Sequence, residues 1–241
     1  MDNDHTNIAR GIYTNTTPNC IGIIMDGNRR FARRNGQDET EGHVLGYKKL
    51  MSVIQWAKAE SISSLIVYGF STENQCRSNK EVDALMDIFR VFFKQMLAKA
   101  KKNDVAISFI GLREQLPQDV QIAMRRLERE TRQCMSLNLI IAAPYGGRAE
   151  LVDVINRMKS SSVDNKQVSE EDITQYLWTA NTRDPDLIIR TGGQRRISNF
   201  LLWQMAYSEL VFTDTLWPDF TQKEFTKILY EYSLRKRTYG R

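Results

Sequence analysis

Histidine and cysteine are scarce in this 241-residue chain, and their scarcity removes whole classes of chemistry. His5 and His43 are its two histidines, so a histidine-rich metal centre is excluded. Cys20, Cys76 and Cys134 are odd in number and far apart, a pattern of reduced thiols rather than of a disulfide framework or a zinc site. No apolar run approaches the ~20 residues that span a bilayer. The opening stretch MDNDHTNIAR has no signal-peptide core, so a cytoplasmic protein is expected.

What is present is ordinary for a globular protein: 41% apolar and 26% charged residues, with a mean hydropathy of −0.45. The length suits one α/β domain. A net charge of +5 is compatible with nucleic acid, an anionic membrane face or phosphorylated small molecules, and alone it decides nothing. Arg125, Arg126, Arg129 and Arg132 alternate with Glu128 and Glu130 along an amphipathic pattern, which reads as a solvated surface helix.

Six short strand-like runs, at 21–25, 64–70, 106–111, 137–143, 186–190 and 209–212, alternate with helical patterns. Such alternation predicts a mostly parallel central sheet flanked by helices, with ligands at the carboxyl ends of the strands. The charged clusters fall at those ends. IGIIMDGNRR passes from a buried strand into Asp26, Gly27, Asn28, Arg29 and Arg30 without a spacer, and FARRNG continues as the start of a helix. Free N–H groups, a helix dipole and two guanidiniums make that loop an anion site. Asp26 would repel a bare phosphate, so it fits there as a ligand of a divalent cation such as Mg2+ or as a proton handler.

RTGGQRRISN follows the strand DLIIR, and its Gly192-Gly193 pair predicts converging backbone N–H groups, an anion nest, beside Arg190 and Arg196. FSTENQCR offers Ser71, Thr72, Glu73, Asn74, Gln75 and Arg77, either to a diphosphate or as a cap for the next helix. From Glu81 to Ala100 the apolar positions cover more than one helical stripe, so that helix is either buried on two sides or lines an apolar cavity. Two anion sites, a strand-tip acid and an apolar helix suggest a reaction between two diphosphates that bear hydrocarbon groups, with leaving charge stabilised by metal and arginine. The stretch at 159–172, rich in Ser, Asp and Asn, reads as a surface connection.

The segments IGIIMDGNRRFA, GHVLGYKKL, YGFSTENQCRS, AAPYGGR, DLIIRTGGQRRISNFLLWQMAYSELVFTDTLWPDF and RKRTYG resemble, in order, the motifs of the cis-prenyltransferases. The resemblance runs from about Pro18 to Gly240, implying a tail at 1–17 and a single domain over 18–241. It implies a homodimer, an apolar tunnel between sheet and helices, and Mg2+-dependent condensation of isopentenyl diphosphate onto an allylic diphosphate. Asp26 would hold Mg2+ and assist ionisation, with Glu209 as the second metal ligand. Gly27, Asn28, Arg29, Arg30, Phe31 and His43 would bind the allylic diphosphate. Asn74, with Ser71, would assist proton removal, and Thr72, Glu73, Gln75 and Arg77 would lie against substrate. Arg190, Arg196, Ile197 and Ser198 would hold the isopentenyl diphosphate. Gly69, Phe89, Phe93 and Leu137 are candidate tunnel walls, and a long product implies peripheral membrane contact. Nucleic acid is not an expected partner, because the basic residues gather at separate glycine turns.

The chain also departs from the family pattern. Cys20 stands in place of the usual His, Glu39 of Arg, Gln75 of Trp, Ser78 of Pro, Pro144 of Asn, Gln194 of Glu, and Arg195 of the His frequent in undecaprenyl-type members. Glu39 exchanges attraction for repulsion near the allylic diphosphate. Three readings stay open: a polyprenyl diphosphate synthase, a paralogue making short or irregularly coupled products, and a non-catalytic binding subunit.

Overall fold

Every residue of the first strand, Cys20–Ile24, is buried, as a strand covered on both faces must be. The computed structural model describes residues 17–76, 79–160 and 167–235. Its strands are β1 (Cys20–Ile24), β2 (Ser64–Tyr68), β3 (Val105–Ile110), β4 (Leu137–Ala142), β5 (Leu187–Arg190) and β6 (Glu209–Phe212). They form one sheet in the order β3-β4-β2-β1-β5-β6, with every pairing parallel. All six expected strands are present. The helices are α1 (Asn28–Arg34), α2 (Glu39–Ala59), α3 (Asn79–Lys102), α4 (Gln118–Thr131), α5 (Gly147–Ser160), α6 (Glu170–Tyr176) and α7 (Gln222–Ser233).

Side chains alternate between the two faces of the sheet. Ile21, Ile23, Leu65, Val67, Leu139 and Ile141 enter a core shared with Val53 of α2, Phe93 of α3, Met124 of α4 and Phe225 of α7. Cys20, Ile24, Ile66, Ile140 and Ile188 face the other way, onto Tyr145, Phe200 and Leu201. Each large side chain fully removed from water contributes roughly 1.5–3 kcal/mol. Burial, with Asp186 alongside, pushes the Cys20 thiol up to about 12, and Cys20 and Cys134 are both free thiols.

The expected surface helix is α4, which buries Val120, Met124 and Leu127 and leaves Arg125, Arg126, Arg129 and Arg132 exposed. The connection at 159–172 is shorter than expected. α5 runs to Ser160, and α6 starts at Glu170 behind a capping box in which Ser169 and Asp172 bond reciprocally. Both readings of α3 hold. Met86, Phe92, Phe93 and Met96 are buried, while Leu85, Ile88 and Phe89 help line an apolar cavity against Met25, Leu50 and Val67. That cavity measures about 80 Å³, and Tyr47 and Phe92, in edge-to-face contact with each other, are both on its wall. Gly69, Phe89 and Phe93 are on its wall, and Leu137 is not.

Two glycines set how closely α2 approaches α1. A Cβ on Gly42 would collide with the backbone carbonyl oxygen of Asn28, and one on Gly46 would collide with the Asn28 Oδ1 atom. Trp217 Nε1 donates to the Gly46 carbonyl at 2.7 Å, which ties α2 to the segment at Trp217. Gly42→Ala is therefore expected to cost about 1–3 kcal/mol through overpacking, read from denaturant unfolding. Parental stability in that variant would show the helix contact to be looser than described.

Candidate active site

The connection from β1 leads to β2 on one side and that from β5 leads to β6 on the other, so the carboxyl ends of β1 and β5 flank the crevice where open α/β sheets bind ligands. Asp26 stands there, two residues past β1. Its carbonyl accepts from Trp217 N at 3.0 Å and from Thr191 Oγ1 at 2.8 Å, which fixes the strand tip from both sides. Asp26 Oδ2 accepts from Arg190 Nη2 at 2.9 Å, and Oδ1 accepts from Arg30 Nη2 at 3.0 Å. The carboxylate is thus shared between the two loops predicted to bind anions.

The first loop turns at Gly27, whose φ of 113° lies in the left-handed region. α1 then spans only seven residues. Its dipole is correspondingly small, and the positive charge at this loop belongs mainly to Arg29, Arg30 and Arg33. The second loop begins at Arg190, which is 4% exposed. Its Nη1 donates to Ser198 Oγ at 2.8 Å and also to the Arg196 carbonyl. The expected anion nest does not form. Gly192 N donates to Thr215 O at 2.7 Å and Gly193 N to Thr213 O at 2.8 Å, so both amides are engaged within the protein. The glycines serve close approach instead, since a Cβ on Gly192 would stand 2.6 Å from Arg30 Nη2 and 2.9 Å from the Asp26 carbonyl oxygen.

In the third loop Ser71 and Asn74 bond reciprocally. Asn74 N donates to Ser71 Oγ and Ser71 N to Asn74 Oδ1, each at 3.2 Å. The pair closes the turn that starts at Thr72 rather than capping α3, and both residues also face the cavity. Glu73 reaches across to the second loop, where Asn199 Nδ2 donates to its Oε1 at 2.8 Å. Burial alone would raise the Glu73 carboxyl, but hydrogen bonds from Asn199, its own backbone, Thr72 and Ser71 outweigh it and hold the group below its ordinary value.

These loops enclose a cavity of about 790 Å³. Asp26, Gly27, Asn28, Arg29, Arg30 and His43 line one side; Ser71, Glu73 and Asn74 line a second; Arg190, Arg196 and Ser198 line a third. Thr72 does not line it and lies against Gly146. Nor does Phe31, which lies beneath the Arg34 guanidinium, or Ile197, which is half-buried nearby. Arg77 is outside the described residues, as is the Gln75 side chain. Sequence reasoning missed Tyr68, Arg33 and Asn199, all on the cavity wall. Tyr68 ends β2 and was accessible to the same strand-end rule. Asn199, with φ of 63°, was not.

Glu209 is not beside Asp26 within one chain. It opens β6 on the rung of Leu187, whereas Arg190 pairs with Phe212 at the other end of the strand, roughly 10 Å further along. Its carboxylate accepts from Arg235. Among the described residues no three or more His, Cys, Asp or Glu side chains gather as a metal cluster. A lone Asp26 still suits Mg2+, which binds through one or two carboxylates completed by substrate phosphate oxygens and water.

Chain comparisons agree with this architecture. The family model described as "Putative undecaprenyl diphosphate synthase" matches residues 24–240. A tritrans,polycis-undecaprenyl-diphosphate synthase (geranylgeranyl-diphosphate specific) of Thermococcus kodakarensis is 40% identical over 236 residues, covering 95% of this chain and 89% of its own. An isoprenyl transferase of Fusobacterium nucleatum is 42% identical over 223 residues, covering 92% and 96%. The crystal structure of lavandulyl diphosphate synthase from Lavandula x intermedia, in complex with dimethylallyl diphosphate, superposes with a TM-score of 0.89 at 32% identity, covering 94% of this chain and 99% of that one. Fold and relatives together define a prenyl-transferring α/β enzyme. The chain belongs to the undecaprenyl diphosphate synthase family, the cis-prenyltransferases.

Glu73 gives a test of the loop contacts. Its folded carboxyl titrates below the ordinary 4.5, so the ionised form stabilises the fold above that pH, and the contribution is lost as pH falls through the folded value. Glu73→Gln is expected to lose less stability than the parent on acidification from neutral pH to about pH 3, followed by thermal melting. Identical acid sensitivity would contradict the Asn199 contact.

Proposed function

We propose that this protein is a Mg2+-dependent enzyme that condenses isopentenyl diphosphate with an allylic diphosphate to make a cis-polyprenyl diphosphate of undecaprenyl type. The observation that carries the reading is the Asp26 carboxylate shared between Arg30 and Arg190, because it places one acid between two guanidinium-bearing loops in a single cavity. Residues 18–241 are taken as one catalytic domain.

The allylic diphosphate occupies the first loop, held by Gly27, Asn28, Arg29, Arg30 and His43. Asp26 would hold Mg2+, which would supply neutralising charge for the leaving group. As the allylic C–O bond breaks, Arg29 and Arg30 take up the negative charge that develops on the departing diphosphate. Arg190, Arg196 and Ser198 hold the isopentenyl diphosphate so that its double bond attacks the allylic carbon and forms the new C–C bond. The proton lost from the adjacent carbon as the double bond is restored passes to the departed diphosphate, the base that the reaction itself supplies, and Asn74, oriented by Ser71, assists that transfer. The apolar wall of α3 shelters the cationic carbon and receives the tail.

A homodimer suits this chemistry. Glu209 is held at the far end of β6 within its own chain, so it serves as the second metal ligand only if a second copy brings it to Asp26. The exposed Leu210 on that strand and Tyr207 just before it favour a subunit contact there. A cytoplasmic protein touching the membrane face only to deliver a long product is the matching setting, since no helix among the described residues is long and apolar enough to cross a membrane.

A second reading, a short-chain or irregularly coupled product, is favoured by the small size of the apolar cavity, about 80 Å³. One set of incubations separates them. Purified protein with Mg2+ receives isopentenyl diphosphate plus dimethylallyl, geranyl, farnesyl or geranylgeranyl diphosphate, and separately dimethylallyl diphosphate alone, and products are weighed by mass spectrometry. Chain elongation is expected with isopentenyl diphosphate; product from dimethylallyl diphosphate alone and nowhere else would overturn it. Asp26→Ala is expected to reduce turnover by at least about 10²-fold while the fold persists. Near-parental turnover would refute its role.

A further inference from the structure

Glu39 opens α2 at the rim of the cavity, and its carboxylate lies between two arginines of α1. Oε1 accepts from Arg33 Nε at 2.8 Å and from Arg33 Nη2. Oε2 accepts from Arg29 Nη1 at 3.5 Å. The same Arg29 nitrogen donates to Glu81 Oε1 of α3 at 3.2 Å. Arg29 and Arg33 line the large cavity, whereas Glu39 and Glu81 line a small recess beside it. Burial opposes ionisation of Glu39, yet the Arg33 hydrogen bond and the charges of Arg29 and Arg33 outweigh it, so the carboxyl sits below its ordinary range and stays charged.

Each α1 guanidinium on the cavity therefore already has a carboxylate: Arg30 has Asp26, Arg33 has Glu39, and Arg29 has Glu39 and Glu81. A multiply charged anion entering on this side meets neutralised cations rather than bare ones. Glu39 is not needed to start its helix. Asp38 is the N-cap, with its side chain accepting from Thr40 N at 2.8 Å, so the Glu39 side chain is free to change partners while α2 keeps its end.

We infer that Glu39 is a built-in competitor for the leaving diphosphate: its carboxylate occupies Arg29 and Arg33 in the resting site, and the diphosphate must displace it to bind. The inference rests on the prenyl-transfer reading for the identity of that anion. The exchange is physically balanced. Side-chain exposures of 39% for Arg29, 31% for Glu39 and 65% for Arg33 keep each ion pair weak in solvent. A diphosphate, with more charge and several acceptor oxygens, displaces one carboxylate from two guanidiniums. Glu39 then remains at hand to take those guanidiniums back when inorganic diphosphate departs. It is a specificity-determining residue that acts through the arginines, on the allylic side only, because the Arg190 side has no contact with it.

Titration calorimetry of inorganic diphosphate with Mg2+ into the parent, Glu39→Gln and Glu39→Asp proteins tests the inference directly. Removing the charge is expected to tighten binding about threefold to tenfold, the range two exposed ion pairs allow. Glu39→Asp keeps the charge and is expected to stay near the parent. In turnover, Glu39→Gln should lower KM for the allylic diphosphate by the same factor and leave KM for isopentenyl diphosphate unchanged, a split that loosening of the helix would not produce. Unchanged or weaker binding in a Glu39→Gln protein with parental Tm, an equal shift in both KM values, or no binding to any of the three proteins would overturn it. Tightened binding in a protein that transfers no prenyl group would uphold the competitor and sink the transfer reading.

Discussion

A buried guanidinium needs a partner, and the pairing of Arg190 with Asp26 is the contact around which the carboxyl edge of this sheet is arranged. Arg190 ends β5 almost wholly out of water, where an unpaired charge would be strongly destabilising. Asp26, just past the adjacent strand, meets Nη2, Ser198 and the Arg196 carbonyl meet Nη1, and Nε is buried without a hydrogen-bond partner. The long loop after β5 is thereby folded back over the end of its own strand. Because Asp26 also accepts from Arg30, the same contact joins that loop to the one after β1. The loops after β1 and β5 are thus held to one another by charge pairs internal to the protein.

The frame around that contact is made of close backbone approaches. Trp217, fully buried, donates its backbone N–H to the Asp26 carbonyl and its indole N–H to the Gly46 carbonyl. One residue thus ties the strand tip to α2. Gly42 and Gly46 let α2 lie against Asn28, and Gly192 lets the second loop pass beside Arg30 and Asp26. Side chains at these glycines would push the loops apart, so the spacing of the charged groups depends on residues that carry no charge.

Much of the fold was legible in the sequence because its strands are short apolar runs closed by small or charged residues, a local signal that tertiary contacts here reinforce. The location of the site was legible for the same reason, since Asp26, Asn74 and Arg190 all follow such runs. The detail was hidden where it depends on which elements become neighbours. Gly192 and Gly193 read as an anion nest, but the residues that receive their amides, Thr213 and Thr215, lie beyond the next strand. Glu209 read as a second metal ligand beside Asp26, and the sequence could not show that the parallel register of β6 on β5 separates the two within one chain. Glu39 read as a bare repulsive charge, and only the placement of α1 against α2 shows that Arg29 and Arg33 already neutralise it.

The central claim is that Asp26 and the arginines on either side of it form one exchangeable charge cluster that receives a diphosphate. A crystal structure of the protein with Mg2+ and an unreactive thio-analogue of dimethylallyl diphosphate tests this most directly. The account predicts the cation between Asp26 and the diphosphate, with Arg30 turned from the carboxylate to a phosphate oxygen. A diphosphate bound away from the β1 loop, with Asp26 still clasped between Arg30 and Arg190, would contradict it.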